Sequence, residues 1–253
     1  MKIRILGSGT SIGVPSMGCD CEVCRSTDIH DKRLRTSVLV DTDSGERLLL
    51  DCGPDFRQQI LQVDFRQIDG VLLSHEHYDH VSGLDDLRPF CRFGDVAVFA
   101  EPFAANRLRE RIPYCFAENL YPGVPRIALN EILPDREFRI GQVNIMPIRV
   151  MHGKLPILGY RIGTFAYITD MSSISDSELP KLEGLELLVV NALRIKPHRS
   201  HQTLDEALEF VSKIKPRKVR FIHMSHDIGL HADVVKRLPA GMSLAYDGEE
   251  IIL

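Results

Sequence analysis

Four side chains of metal-binding type fall within six positions of Ser74-His75-Glu76-His77-Tyr78-Asp79-His80: His75, His77, Asp79 and His80. Imidazole and carboxylate together suit zinc, manganese or iron rather than calcium. The preceding Val71-Leu72-Leu73 is a short apolar run that predicts a buried strand, and Val81–Leu87 has an apolar spacing suited to a helical turn or two. If the chain stays extended past Ser74, side chains two apart share a side, so His75 and His77 can grip one ion together. Asp79 and His80 fall at the turn into the helix, where adjacent side chains diverge, and are better placed for a second ion. The competing reading is a polar surface turn that is rich in histidine by chance.

A second cluster is Cys19-Asp20-Cys21-Glu22-Val23-Cys24. Thiolates prefer zinc, and a closed zinc site wants four ligands, so one more must come from elsewhere. Met1–Gly7 lacks the apolar core of a signal peptide, and no apolar run approaches the ~20 residues that span a bilayer. A cytoplasmic location is expected. There thiols stay reduced, and the six cysteines read as ligands or core residues before disulfides.

The elements that must carry these groups follow from the apolar runs. Residues 2–6 alternate as a half-buried strand, and Gly7–Pro15 is a glycine-rich loop that either turns tightly or cradles phosphate. Residues 37–40 and 47–50 read as a hairpin about Asp43–Glu46, with Asp51 next, either a cap or a partner that orients a ligand histidine. A helix is expected over 55–62 and a strand over 96–100, while Arg107, Arg109 and Arg111 read as a solvated face. Strands around 143–150, 165–169, 187–190 and 219–222 end at His152, Asp170, Asn191 and His223. Ligand sites of open sheets lie beyond the carboxyl ends of strands, so these endings point to one convergent site. Thr203 and Glu206 form a capping box opening a helix to about Lys213. The loop ahead of it, Arg194–His201, is basic, and is either solvated or holds a phosphate.

The chain has 253 residues, 44% of them hydrophobic, enough for a sizeable core. No linker or repeat divides it, so one α/β domain over 1–253 is expected. A net charge of −4 gives no general attraction to nucleic acid or to anionic membrane.

His-x-His-x-Asp-His with a later His, Asp and His resembles the metallo-β-lactamase superfamily along the whole chain. Residues 13–24, His77-Tyr78-Asp79-His80 and His223-Met224-Ser225-His226 resemble more narrowly its PhnP-type phosphoribosyl 1,2-cyclic phosphate phosphodiesterases. The resemblance implies a four-layer αββα sandwich. It implies two catalytic divalent ions (Mn²⁺ or Zn²⁺), one held by His75, His77 and His152, the other by Asp79, His80 and His223, with Asp170 bridging. It implies a structural Zn²⁺ on Cys19, Cys21, Cys24 and His226, with His201 as general acid and His201 and Asp79 as the catalytic residues. The implied activity is hydrolysis of a small phosphodiester, with neither nucleic acid nor membrane as partner and a homodimer left open. A PqqB-like cofactor-biosynthesis protein and a tRNA 3′-processing nuclease are the alternatives.

Overall fold

The computed structural model describes residues 1–117 and 119–253. Apolar runs that are buried on both faces build two sheets packed face to face. The first comprises β1 (Lys2–Gly7), β2 (Ser37–Asp41), β3 (Arg47–Leu50), β4 (Gly70–Leu72), β5 (Val96–Ala100) and β6 (Ile127–Glu131). The second comprises β7 (Phe138–Ile140), β8 (Val143–His152), β9 (Leu155–Ile162), β10 (Phe165–Ile168), β11 (Ser173–Ile174), β12 (Leu187–Asn191), β13 (Lys218–Ile222) and β14 (Met242–Leu244). A last strand, β15 (Glu250–Ile252), returns to the first sheet. The orders are β15-β1-β2-β3-β4-β5-β6 and β11-β8-β9-β10-β12-β13-β14, with β7 on β8. In each sheet the antiparallel hairpins give way to parallel strands, β3-β4-β5-β6 in the first and β10-β12-β13-β14 in the second.

Side-chain alternation sorts the core into layers. Leu48 and Leu50 of β3 face the second sheet and meet Leu158, Tyr160, Phe165 and Tyr167, whereas Leu49 faces outward. The outer face of the first sheet is covered by helices α2 (Phe56–Ile60) and α4 (Pro102–Arg111), and by the 3₁₀ segment Leu84–Phe93. The outer face of the second sheet is covered mainly by α5 (Leu204–Ile214), through Ala207, Phe210 and Val211. The result is the αββα sandwich.

The elements differ from what the sequence spacing predicts in two places. The helix expected over 55–62 holds only over Phe56–Ile60. The turns after the histidine motif split into α3 (Tyr78–Val81) and the 3₁₀ segment, which contains Pro89. Arg107 and Arg109 are exposed and paired with Glu110 and Glu131, as a solvated face would be. Arg111 departs from that reading: its guanidinium donates to the Glu76 carbonyl inside the histidine motif.

The glycine-rich loop is a crossing point of backbones rather than a phosphate cradle. Gly9 bridges both Arg35 and Met224, and a Cβ there would press on the Arg33 main chain. A similar close approach fixes α3. Cys52 N donates to His80 O and Gly83 N to Cys52 O, at 2.8 and 2.9 Å, and an added Cβ on Gly53 would collide with the Asp79 carbonyl. Gly53→Ala should therefore displace α3. Overpacking of this kind costs about 1–3 kcal/mol, seen as a drop of several degrees in Tm, with metal affinity falling alongside. Calorimetry showing an unchanged Tm would contradict the tight packing.

Candidate metal centre

The strand ends turn sharply where the polar groups begin. Asp51, Asp170 and His223 have φ near +59°, +56° and +58°, left-handed values that non-glycine residues seldom adopt. Each follows a strand that is fully paired, so the turn aims its side chain across the rim between the sheets. Backbone strain of this sort costs about 1–3 kcal/mol per residue and persists where surrounding structure over-determines it.

At the rim the imidazoles and carboxylates converge. The ligand atoms of His75, His77 and His152 lie within 4.8 Å of one another, as do those of Asp79, His80 and His223. Asp170 touches the second set and lies within 4.8 Å of ligand nitrogens of His75 and His152 in the first. Its Oδ2 is 3.2 Å from His80 Nε2 and its Oδ1 is 3.2 Å from His223 Nε2. Asp79 Oδ2 lies 3.1 Å from His80 Nε2 and 3.4 Å from His223 Nε2. His201 also enters, its Nδ1 3.5 Å from Asp170 Oδ1 and its ring 4.6 Å from that of His152.

Hydrogen bonds on the far side of each ring fix which nitrogen faces inward. His80 Nδ1 is 2.8 Å from Asp51 Oδ2. Ser74 Oγ donates to Asp51 Oδ2 at 2.9 Å, so it accepts from His75 Nδ1 at 3.0 Å. His152 Nδ1 donates to the carbonyls of Asp170 and Ser200, at 2.9 and 2.8 Å. In the neutral form of each ring the other nitrogen, Nε2, then carries no proton and faces the cluster. His75 Nε2 and His80 Nε2 are buried with no hydrogen-bond partner. Buried polar atoms are normally satisfied, and two orphaned nitrogens beside carboxylates fit divalent metal ions. The residues therefore fit a pair of ions in the arrangement that the resemblance implies.

The electrostatics carry the same message. Burial, reinforced by His80 and His77, pushes His75 far below the usual imidazole range. Burial would also lower His80, but Asp79, Asp170 and Asp51 overcome it and hold the ring well above that range. Burial would raise Asp170, yet His223 and His80 keep it ionised. Burial lowers His201 to about 3, helped by His223, His152 and His198 against the pull of Asp170.

The second cluster forms 207 residues apart in sequence. Cys19 Sγ and Cys21 Sγ lie 3.4 and 3.2 Å from His226 Nδ1, and with Cys24 all four ligand atoms fall within 4.8 Å. The Cys24 N–H directed at its sulfur, with His226 beside it, lowers Cys21 to about 6, whereas burial raises Cys24 to about 11. All six cysteines are free thiols. Buried Arg33 donates to Ser225 O at 2.8 Å and Gly229 O at 3.2 Å, clamping the segment that carries His226. His226 is thus the fourth candidate ligand for a tetrahedral zinc.

Ser74, Tyr167, Thr169, Asn191 and Ser200 support the centre but were not singled out from sequence for this role. Tyr167 donates to Asp51 at 2.7 Å, Thr169 to Asp170 at 2.6 Å, and Asn191 brackets the main chain of Met171. Only Asn191, at a strand end, carried a signal. The basic loop resolves differently from a simple phosphate cradle: Arg194 folds back on the carbonyls of Lys196 and Pro197, at 3.1 and 2.8 Å.

Asp51→Asn keeps the shape but removes the charge that three groups share. Loss of such an outer-shell partner should weaken metal binding at the histidine centre about 10–100-fold. Competition with a chromophoric chelator reads this directly, and unaltered affinity would show that Asp51 does not orient His80.

The family model described as beta-lactamase superfamily domain matches residues 46–224. The crystal structure of a new diphosphatase from the PhnP family is 40% identical, with a TM-score of 0.92, covering 99% of this chain and 96% of that one. An octanoyltransferase of Porphyromonas gingivalis (strain ATCC BAA-308 / W83) is 48% identical over 254 residues, which is 100% of this chain and 52% of that protein. Coenzyme PQQ synthesis protein B of Methylorubrum extorquens (strain PA1) is 36% identical over 116 residues, 40% of this chain and 39% of that protein. The chain spans about half the length, or less, of these two curated relatives.

Proposed function

The chain belongs to the beta-lactamase superfamily, in its metal-binding form resembling PhnP, and on that premise we propose that it hydrolyses a small phosphodiester or diphosphate. The observation that carries this reading is Asp170, whose carboxylate contacts His80 and His223 of one ligand set and lies within 4.8 Å of the ligand nitrogens of His75 and His152 of the other, while His201 stands beside it, surplus to both ligand sets. Two divalent ions, Mn²⁺ or Zn²⁺, when bound would supply a water acidic enough to ionise near neutral pH and positive charge to offset the negative charge building up on the phosphoryl oxygens. His75, His77 and His152 would hold one, Asp79, His80 and His223 the other, and Asp170 both. The remaining work falls to His201, which gives a proton to the leaving oxygen. Burial keeps that ring neutral in the free protein, and a phosphate anion against it opposes that effect. Asp79 would act in the chemistry as a ligand of the second ion.

Either scissile linkage, C–O–P–O–C or P–O–P, offers the same in-line displacement at phosphorus. The similarity to a PhnP-family diphosphatase supports the second as much as the implied cyclic phosphodiester supports the first. Acyl transfer, which the name of the longer relative brings to mind, gains no support from Cys52 or Cys115, and the lowered thiol of Cys21 is grouped with the other candidate zinc ligands. Cys52 is wholly buried and its thiol is raised far above the ordinary range, and burial raises Cys115 to about 11. A PqqB-like role rests on a match to 40% of the chain. A large RNA is disfavoured by the net charge of −4 and by the self-bonded Arg194. No helix among the described residues is long and apolar enough to cross a membrane, and the free thiols suit a reducing cytoplasm.

Metal-replete protein should cleave bis(p-nitrophenyl) phosphate or a nucleoside diphosphate ester, and neither a phosphomonoester nor a β-lactam. Inertness on every diester and diphosphate, with turnover of a monoester or lactam, would overturn the proposal. His201→Ala should retain its metals and lose ~10²–10⁴-fold in rate, less for good leaving groups. A loss that is uniform across leaving groups would assign His201 to substrate positioning instead.

A further inference from the structure

The loop between β12 and α5 holds one more imidazole, His198, that neither ligand set uses. The loop is fixed at both ends. Leu204 N donates to Arg194 O at 3.0 Å, and Ser200 O receives the His152 Nδ1 proton at 2.8 Å. Between them the Arg194 guanidinium ties down the carbonyls of Lys196 and Pro197 and reaches to 3.8 Å from Asp227. His198 is therefore presented by a braced turn rather than by a free arm.

Its surroundings are those of an anion donor. The ring lies 5.0 Å from the His201 ring, which in turn stacks 5.0 Å from that of His223. A row of imidazoles thus runs from solvent to the metal ligands, with His198 exposed at its outer end. Ser200 N–H points at His198 Nδ1 at 3.4 Å, which makes Nδ1 the acceptor and leaves the ring proton on Nε2. Among the described residues no carboxylate pairs with His198, and the charged or chargeable groups acting on it are Arg194, His152 and His223. A donor with no acidic partner, in mostly basic company, next to the proposed proton donor, is placed for a second oxyanion.

We propose that His198 binds the phosphoryl group that is not attacked, so that the centre prefers a substrate with two adjacent phosphoryl groups over one with a single phosphorus. This rests on the phosphorus-hydrolase reading above and narrows its substrate class to diphosphates. Neighbouring phosphoryl groups share one oxygen, so donors whose rings are in contact reach both. His198 is a binding and positioning residue; the leaving-group proton still comes from His201.

The test compares ADP with AMP, which differ by one phosphoryl group on the same nucleoside. Affinities are measured by titration calorimetry on the metal-loaded protein, with metal content checked afterwards. The wild type should bind ADP more tightly than AMP. In His198→Ala the ADP:AMP affinity ratio should fall about 10–100-fold, the worth of one hydrogen bond to a charged group. His198→Gln keeps an N–H donor and should recover part of it. The same variants should lower kcat/KM for ADP-ribose relative to bis(p-nitrophenyl) phosphate, chiefly through KM. An equal loss for ADP and AMP, or a wild type that does not discriminate, would overturn the inference. Failure of the hydrolase reading shows separately, as no turnover of either ester, and the affinity ratio still decides the role of His198.

Discussion

One buried carboxylate holds the centre in shape. Asp51, wholly excluded from solvent, accepts from Ser74 N, Ser74 Oγ, His80 Nδ1 and Tyr167 Oη, all within 2.9 Å. Burying a charge costs several kcal/mol unless it is matched by hydrogen bonds, and four donors supply the match. The donors come from different elements: Ser74 follows β4, His80 lies in α3, and Tyr167 comes from the second sheet. The bonds that solvate Asp51 therefore also join the two sheets at the edge where the ligands emerge. Its left-handed backbone, which turns the chain away from β3, is over-determined by the same contacts.

The opposite wall depends on the segment 223–229, which belongs to both clusters. His223 faces the aspartates, and three residues later His226 faces the thiols. Between them Met224 exchanges main-chain hydrogen bonds with Ser8 and Thr10, so the N-terminal loop passes directly behind the centre. Arg33, clamped by Asp31 and by two carbonyls of the same segment, makes that arrangement rigid. A zinc on the cysteines would act on the chemistry only by fixing this wall.

Much of this was legible in the sequence because the signals were redundant. Runs such as Leu48-Leu49-Leu50 and Leu187-Leu188-Val189-Val190 are buried on both faces, so they read as strands, and each is followed abruptly by a polar residue. The placing of His152, Asp170 and His223 at such ends needed no knowledge of pairing. What stayed hidden depends on distance in space. Ser200 acts through its carbonyl, which no side-chain pattern reports, and Tyr167 looks like any core aromatic until its hydroxyl meets Asp51. Arg194 read as one of several free cations, whereas its guanidinium is spent on its own loop. The short α2 and the broken turns after His80 differ from the spacing because Gly53 and Gly83 let two backbones touch there, a contact set by tertiary packing rather than by local propensity.

The central claim is that this chain assembles two separate metal sites, a paired one at the strand ends and a single one on the cysteines. Metal analysis of purified protein, alongside Asp170→Ala and Cys21→Ser, tests it most directly. The account predicts about three ions per chain in the wild type. Asp170→Ala should lose at least one catalytic ion while keeping its zinc, and Cys21→Ser should lose zinc while keeping the catalytic pair. Full occupancy of the catalytic pair in Asp170→Ala, or a disulfide among Cys19, Cys21 and Cys24 in place of an ion, would contradict it.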